Sequence, residues 1–370
     1  MPRGVRQPLA SAQALARRGL SPPAGDQAPS GGRAGPDGAV LAEAANRLRH
    51  RPGSPDGHYE SYFIRANHAT RGLAFWIRYT IFSPEQRPDD AQGELWAIVF
   101  DGERARHVAV KQAWPLGVCR FGPDALVVEL PVAQLSASHA QGSCHAHDHR
   151  IGWDLRLRAG QSPLLLLPER LYEGGFPKAK SLVSRPLTRF DGTLLVDGER
   201  IDVQGWAGSQ NHNWGRRHTD RYAWGQVAGF DGGHDESFLE VASAKLKIGP
   251  LWTPWITPIV LRHRGQEHRL NALGRSLRAR VSLRGFDWQF DSHGDGVRVQ
   301  GHLRAERNDF VGLRYANPPG GIKQCLNSKI ASARVTLQRA DGPSETLVSA
   351  RRAAFELLGD AGGHGVPMSC

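Results

Sequence analysis

Short runs of alternating or continuous apolar, β-branched and aromatic residues, bounded by polar turns, fill the chain from His58 to about residue 345. In RIGWDLRLRA (150–159), Ile151, Trp153, Leu155 and Leu157 fall on one side, with Asp154, Arg156 and Arg158 on the other. A period of two suits a half-buried strand and no helix. HYESYFIRAN (58–67), LAFWIRYTIFSP (73–84), GELWAIVFDG (93–102), RYAWGQVAGF (221–230) and SFLEVASAKL (237–246) continue in the same manner. Asp197-Gly198 is a strong hairpin dipeptide between two extended runs. Many short strands at intervals of about eight to twelve residues imply an antiparallel barrel or sandwich.

Helical patterns are rare. SARRAAFELLGD (349–360) has Ala353, Phe355 and Leu358 near one helical face and Gly359 past its end, so it is expected to be helical. AVLAEAANRLRHR (39–51) is expected to form a second, short helix. Residues 1–55 are rich in Ala, Arg, Gly, Pro and Ser and nearly free of aromatics, a composition that predicts a disordered tail. The rest divides into two β domains, 56–188 and 189–370, where SRPLTRFDG (184–192) resets the pattern.

The formal net charge is +11, and 40 of the 47 cations are arginine. They are scattered, with no run longer than the pairs at 17–18, 216–217 and 351–352, which argues against nucleic acid as a partner. Cysteines 119, 144, 325 and 370 form no CxxC, so neither a disulfide framework nor a zinc motif is indicated. No apolar run is long enough to span a bilayer and no secretory leader is evident, so a cytoplasmic protein is expected. LWTPWITPIV (251–260) allows a lip that touches a membrane surface, or an edge strand packed on its own protein.

GSQNHNWG (208–215) places Gln210, Asn211, His212 and Asn213 beside Trp214, between two glycines. Buried amides demand partners, and an unsatisfied one costs about 1–3 kcal/mol. The stretch is therefore expected to be a loop over a barrel mouth, acting as an interdomain latch, as a site, or as both.

At GSQNHNWG…DRYAWGQVAGF the sequence resembles the carotenoid 1,2-hydratase and AttH-like family, related in fold to tocopherol cyclases and to fungal lipocalin-like Diels–Alderases. HYESYFIRANHATRGLAFWIRYTIF and IGWDLRLR extend the resemblance to roughly residues 58–345. The resemblance implies two tandem lipocalin-like antiparallel β-barrels, an apolar small molecule held in or between them, and no metal or organic cofactor. In the hydratases the acid chemistry lies in a His-x-Trp and a Tyr-x-Asp. Here the first falls on His212 and Trp214, the second on Phe238 and Glu240. The carboxyl is kept and the phenol is lost.

Protonating an unactivated alkene needs a carboxylic acid held neutral, which burial among aromatic rings provides. The expected roles are Glu240 as proton donor and His212 as its orienting or accepting partner. Trp214, Trp224, Phe238, Tyr222, Asn211 and Asn213 are expected as substrate-binding walls. The expected activity is cofactor-independent hydration or cyclisation of a hydrophobic polyene or isoprenoid. Non-catalytic carriage and a pericyclic cyclase are the alternatives. CHAHDH (144–149) puts three histidines on one side of an extended segment, but in one local run, so no metal site is expected there. Cys325, in NPPGGIKQCLNSKIA (317–331), is expected to be structural.

Overall fold

The computed structural model describes residues 42–370 apart from 159 and 361. Nearly all of the regular structure is antiparallel strand, in two large sheets. Across the first sheet the order is Arg106–Pro115, Gln92–Asp101, Leu73–Ser83, His58–Asn67, Glu199–Gly215, Ala179–Val196, His149–Leu157 and His139–Ala146, with shorter strands beyond. The second runs from Gln266–Arg269 through Ile259–His263, His234–Lys245, Arg221–Phe230, Glu345–Gly359 and Ile322–Arg339 to Val297–Arg304 and two more. Both follow one plan: the opening strand of each half pairs with the strand after it and with the closing strand of that half.

Each sheet curls around its own core. Tyr62, Ile64, Phe75, Leu95, Trp153 and Trp206 belong to the first, Val227, Leu239, Trp288, Val299, Val335 and Phe355 to the second. The opposite faces of the central strands are also apolar, and they meet. Phe63, Trp76, Trp96 and Phe100 of the first sheet pack with Trp224, Leu313, Tyr315 and Leu358 of the second. Strands buried on both faces lose their alternation: ten of the eleven residues of Leu73–Ser83 are buried.

That loss explains the misreading of 349–360. The segment belongs to the strand Glu345–Gly359 rather than a helix. Ala353, Ala354 and Phe355 are all buried because one face meets the second core and the other meets the first sheet. The change of sheet falls between Gly215 and Arg221, not at 188–189, because Ala179–Val196 pairs along most of its length with Glu199–Gly215.

Of the expected tail, residues 1–41 lie outside the described residues. The remainder is ordered: 42–45 are helical, and Ala42 and Asn46 are buried. Of the expected helix 39–51, only this turn is helical among the described residues. Among those residues no helix is long and apolar enough to cross a membrane.

Candidate active site

The stretch 208–215 is the second half of a strand, not a loop over a mouth. Its neighbour requires Gly208: a Cβ there would stand 1.9 Å from the Arg65 carbonyl oxygen. As in any strand, its side chains alternate. His212 and Trp214 point into the first sheet's own interior, while Asn211 and Asn213 point across to the second sheet.

His212 therefore does not meet Glu240. Its Nε2 lies 2.8 Å from Glu60 Oε1, and its Nδ1 lies 2.8 Å from the Ala45 carbonyl. Glu60 also accepts from the Arg49 and His50 backbone amides, His58 Nε2 and the Tyr62 hydroxyl. Burial opposes its charge, but the bonds from His212 and His58 outweigh this and hold the carboxyl well below the usual range. The His212 ring stacks on Tyr62 at 4.4 Å, and Trp214 sits under the Arg49 guanidinium at 5.0 Å. This pair fastens residues 45–50 to the first sheet.

Glu240 is fully buried and faces the first sheet, as does Phe238. Its oxygens accept from Trp224 Nε1 and Gln226 Nε2, both at 2.8 Å. Desolvation pushes its carboxyl up to about 7, against the pull of those two donors and of Arg65. Gln226 in turn accepts from Arg65 Nε at 2.6 Å and donates to Asn211 Oδ1 at 2.8 Å. Arg65, Gln226, Asn211, Ser209 and Glu240 thus form one buried network across the two sheets. Phe238 packs with Leu164, Val183, Leu187 and Val260 in a small apolar cluster at the same seam.

Beside the network lies a cavity of about 200 Å³, between the sheets rather than inside either one. Of the expected residues, Trp224, Tyr222 and Asn213 line it; Glu240 stands behind the Trp224 ring. Phe63, Trp76 and Leu166 supply apolar wall.

Of the ionisable groups of the lining, Tyr222 was expected from sequence, whereas Glu356, Tyr315, His218 and Arg78 were not. Glu356 is the carboxyl that lines the cavity. Its Oε1 accepts from Lys329 Nζ at 2.7 Å and Asn327 Nδ2 at 3.1 Å; its Oε2 lies 3.4 Å from the Tyr222 hydroxyl. Tyr222 and Glu356 come from adjacent strands, where Trp224 is the register partner of Glu356. A phenol and a carboxyl therefore do meet, but from strands far apart in sequence. Burial raises the Tyr222 and Tyr315 hydroxyls well above their usual range, so both keep their protons. It also lowers Lys329, which lies fully buried near the Trp76 and Trp224 rings.

His218 stacks on Tyr59 at 4.2 Å, and its Nε2 lies 3.2 Å from the Ala316 carbonyl. A carbonyl only accepts, so Nε2 carries the proton. Burial, reinforced by the Arg78 charge, pushes the ring down to about 3, leaving it neutral with a lone pair on Nδ1.

Among the described residues no group of three or more His, Cys, Asp and Glu is placed to hold a metal. CHAHDH is a hairpin: Cys144 turns into the core, and His149 bonds Asp197 at 2.9 Å. Cys325 is buried with its thiol raised by burial, which suits a structural role.

No family model and no curated protein matches the sequence. Among solved structures, the chain is similar to an AttH-designated protein from Nitrosomonas europaea. The identity is 14% over 84% of this chain and 96% of that one, with a TM-score of 0.51. It is also similar to kievitone hydratase from Nectria haematococca, at 11% identity over 87% of this chain and 93% of that one, with a TM-score of 0.50. At such identities the likeness concerns architecture. The fold is all-β and lipocalin-like, built from two curled antiparallel sheets.

Proposed function

We propose that the cavity between the sheets holds an apolar, isoprenoid-like guest and adds water across one of its double bonds. The observation that carries this reading is the lining itself: one carboxyl, three protonated phenols, a neutral imidazole and two cations in a room walled by Trp76, Trp224 and Phe63. A hydratase among the proteins of this architecture supports it.

Glu356 takes the donor role first expected of Glu240. A buried Lys–Glu pair holds the same number of protons as an ion pair or as an amine beside a carboxylic acid. Proton transfer from Lys329 Nζ, 2.7 Å from Glu356 Oε1, supplies that acid. The carboxylic acid then protonates the alkene carbon, and the π electrons become the new C–H bond. The cation left on the neighbouring carbon faces the tryptophan rings, which stabilise it by about 2 kcal/mol or more when dry. Water attacks that carbon, and His218 Nδ1 accepts the proton the water loses. An attacking water on a cation is acidic enough for so weak a base. Proton return through solvent restores Glu356, and the sum is alkene plus water to alcohol.

Carriage without chemistry is the second reading, favoured by His212 and Glu240 both standing off the cavity. The two separate in one assay. Purified protein is incubated with a prenylated-lipid extract in H2¹⁸O, and products are read by mass spectrometry. Hydration gives a species 20 mass units above its precursor, absent with Glu356→Gln and slowed with His218→Gln, both checked for folding by thermal melt. The same unaltered guest in wild type and variants would establish carriage instead.

A further inference from the structure

Two cations line the cavity: Lys180, whose Nζ is met by the Gly174 carbonyl, and Arg78, which has no anion. Arg78 projects from the same face of its strand as Trp76, and it is 5% exposed. Its Nε donates to Ser61 Oγ at 2.9 Å, and its guanidinium carbon lies 4.6 Å from the Tyr315 ring centre. Among the described residues these are its partners, and no carboxylate is within ion-pairing distance. Neither nearby acid is available: Glu94 is held by Lys111 at 2.7 Å and Trp96 at 3.1 Å, and Glu356 by Lys329. Guanidinium carries five N–H donors in a planar fork that matches a carboxylate edge to edge. One is spent on Ser61, and the face lies over Tyr315; the Nη edge has no protein acceptor.

Other polar atoms of the same wall are also without partners. Trp76 Nε1, Asn213 Oδ1 and Ser276 Oγ are buried and unbonded, and all three residues line the cavity. Buried polar groups are normally satisfied, and an unpaired buried charge is the most costly exception. A pure hydrocarbon guest would leave all of them as they are.

We infer that the guest is amphipathic: an apolar body against Phe63, Trp224 and Leu166, and a carboxylate head bound by the Arg78 guanidinium beside Trp76 Nε1. The inference deepens the functional reading and rests on the cavity being the guest site, but not on any turnover there. It replaces a neutral polyene with an isoprenoid or fatty-chain acid.

The test is a titration of intrinsic tryptophan fluorescence, since Trp76 and Trp224 line the cavity. The probes are decanoate and 1-decanol at pH 8, matched in chain and differing in charge. Wild type binds decanoate about tenfold or more tightly than decanol, the gain expected of hydrogen bonds to a charged group. Arg78→Met removes that preference while leaving decanol affinity within about twofold, and Arg78→Lys keeps part of it. Equal affinities in wild type would overturn the inference, and that comparison needs no variant. So would equal losses for both probes in Arg78→Met, or failure of decanoate to bind. A carboxylate preference without ¹⁸O incorporation would remove the hydration reading and leave this one standing.

Discussion

Replacing Glu240 by glutamine isolates the effect of one buried carboxyl on stability. The group is fully buried, and its pKa is raised from the usual 4.5 to about 7. Between those values the folded chain holds a proton that the unfolded chain releases, so stability falls as pH rises through this window. Above pH 7 both states are ionised and the loss is complete. Two and a half pH units at 1.36 kcal/mol each give a penalty of about 3 kcal/mol, absent below pH 4.5. Glutamine has no proton to lose, so it escapes the penalty. Whatever constant cost it incurs from facing the donors Trp224 Nε1 and Gln226 Nε2 cancels when one pH is compared with another. The assay is urea unfolding of wild type and Glu240→Gln at pH 5, 6, 7 and 8. The variant should gain on wild type by about 2.5 kcal/mol from pH 5 to pH 8, with most of the gain complete by pH 7. A difference independent of pH, or one that grows toward acid, would refute the argument that desolvation governs this carboxyl.

Three further outcomes are expected. His212→Gln breaks a buried pair and should cost about 3–5 kcal/mol in unfolding free energy while leaving decanoate affinity unchanged, because the ring faces away from the cavity; a selective loss of binding would count against this placement. Gly208→Ala drives a Cβ into the backbone of the strand His58–Asn67 and should lower stability by about 3 kcal/mol, read as a fall in Tm. Phe238→Ala, in the seam cluster, should cost about 3–5 kcal/mol by leaving a void, measured by urea unfolding.

The strand content was legible because alternation survives wherever one face is wet, as in His149–Leu157. It failed at Glu345–Gly359, where both faces are dry and Ala353-Ala354-Phe355 imitates a helix. Parity explains the main error at the site. Alternation puts Asn211 and Asn213 opposite His212 and Trp214, but a sequence does not say which set meets the other sheet. Glu240 is buried beside aromatic residues, yet it is Trp224, its hydrogen-bond partner, that lines the cavity. Tyr222 was named without its partner, because only the pairing of the first and last strands of the second sheet brings Glu356 to it. His218 and Arg78 gave no local signal. Each gains its character from being buried against residues distant in sequence.

The cavity is a seam, with one wall from each half of the chain. Either half alone would keep only its own wall of this cavity, the first with Arg65 and Arg78 laid bare. A bound guest is therefore mortar as well as cargo. Its affinity is added to the cohesion of the two halves, and anything that pries them apart by an ångström ejects it. Cleaving the chain between Gly215 and Arg221 would abolish binding unless the pieces reassociate, and a tight-binding acid should help them do so.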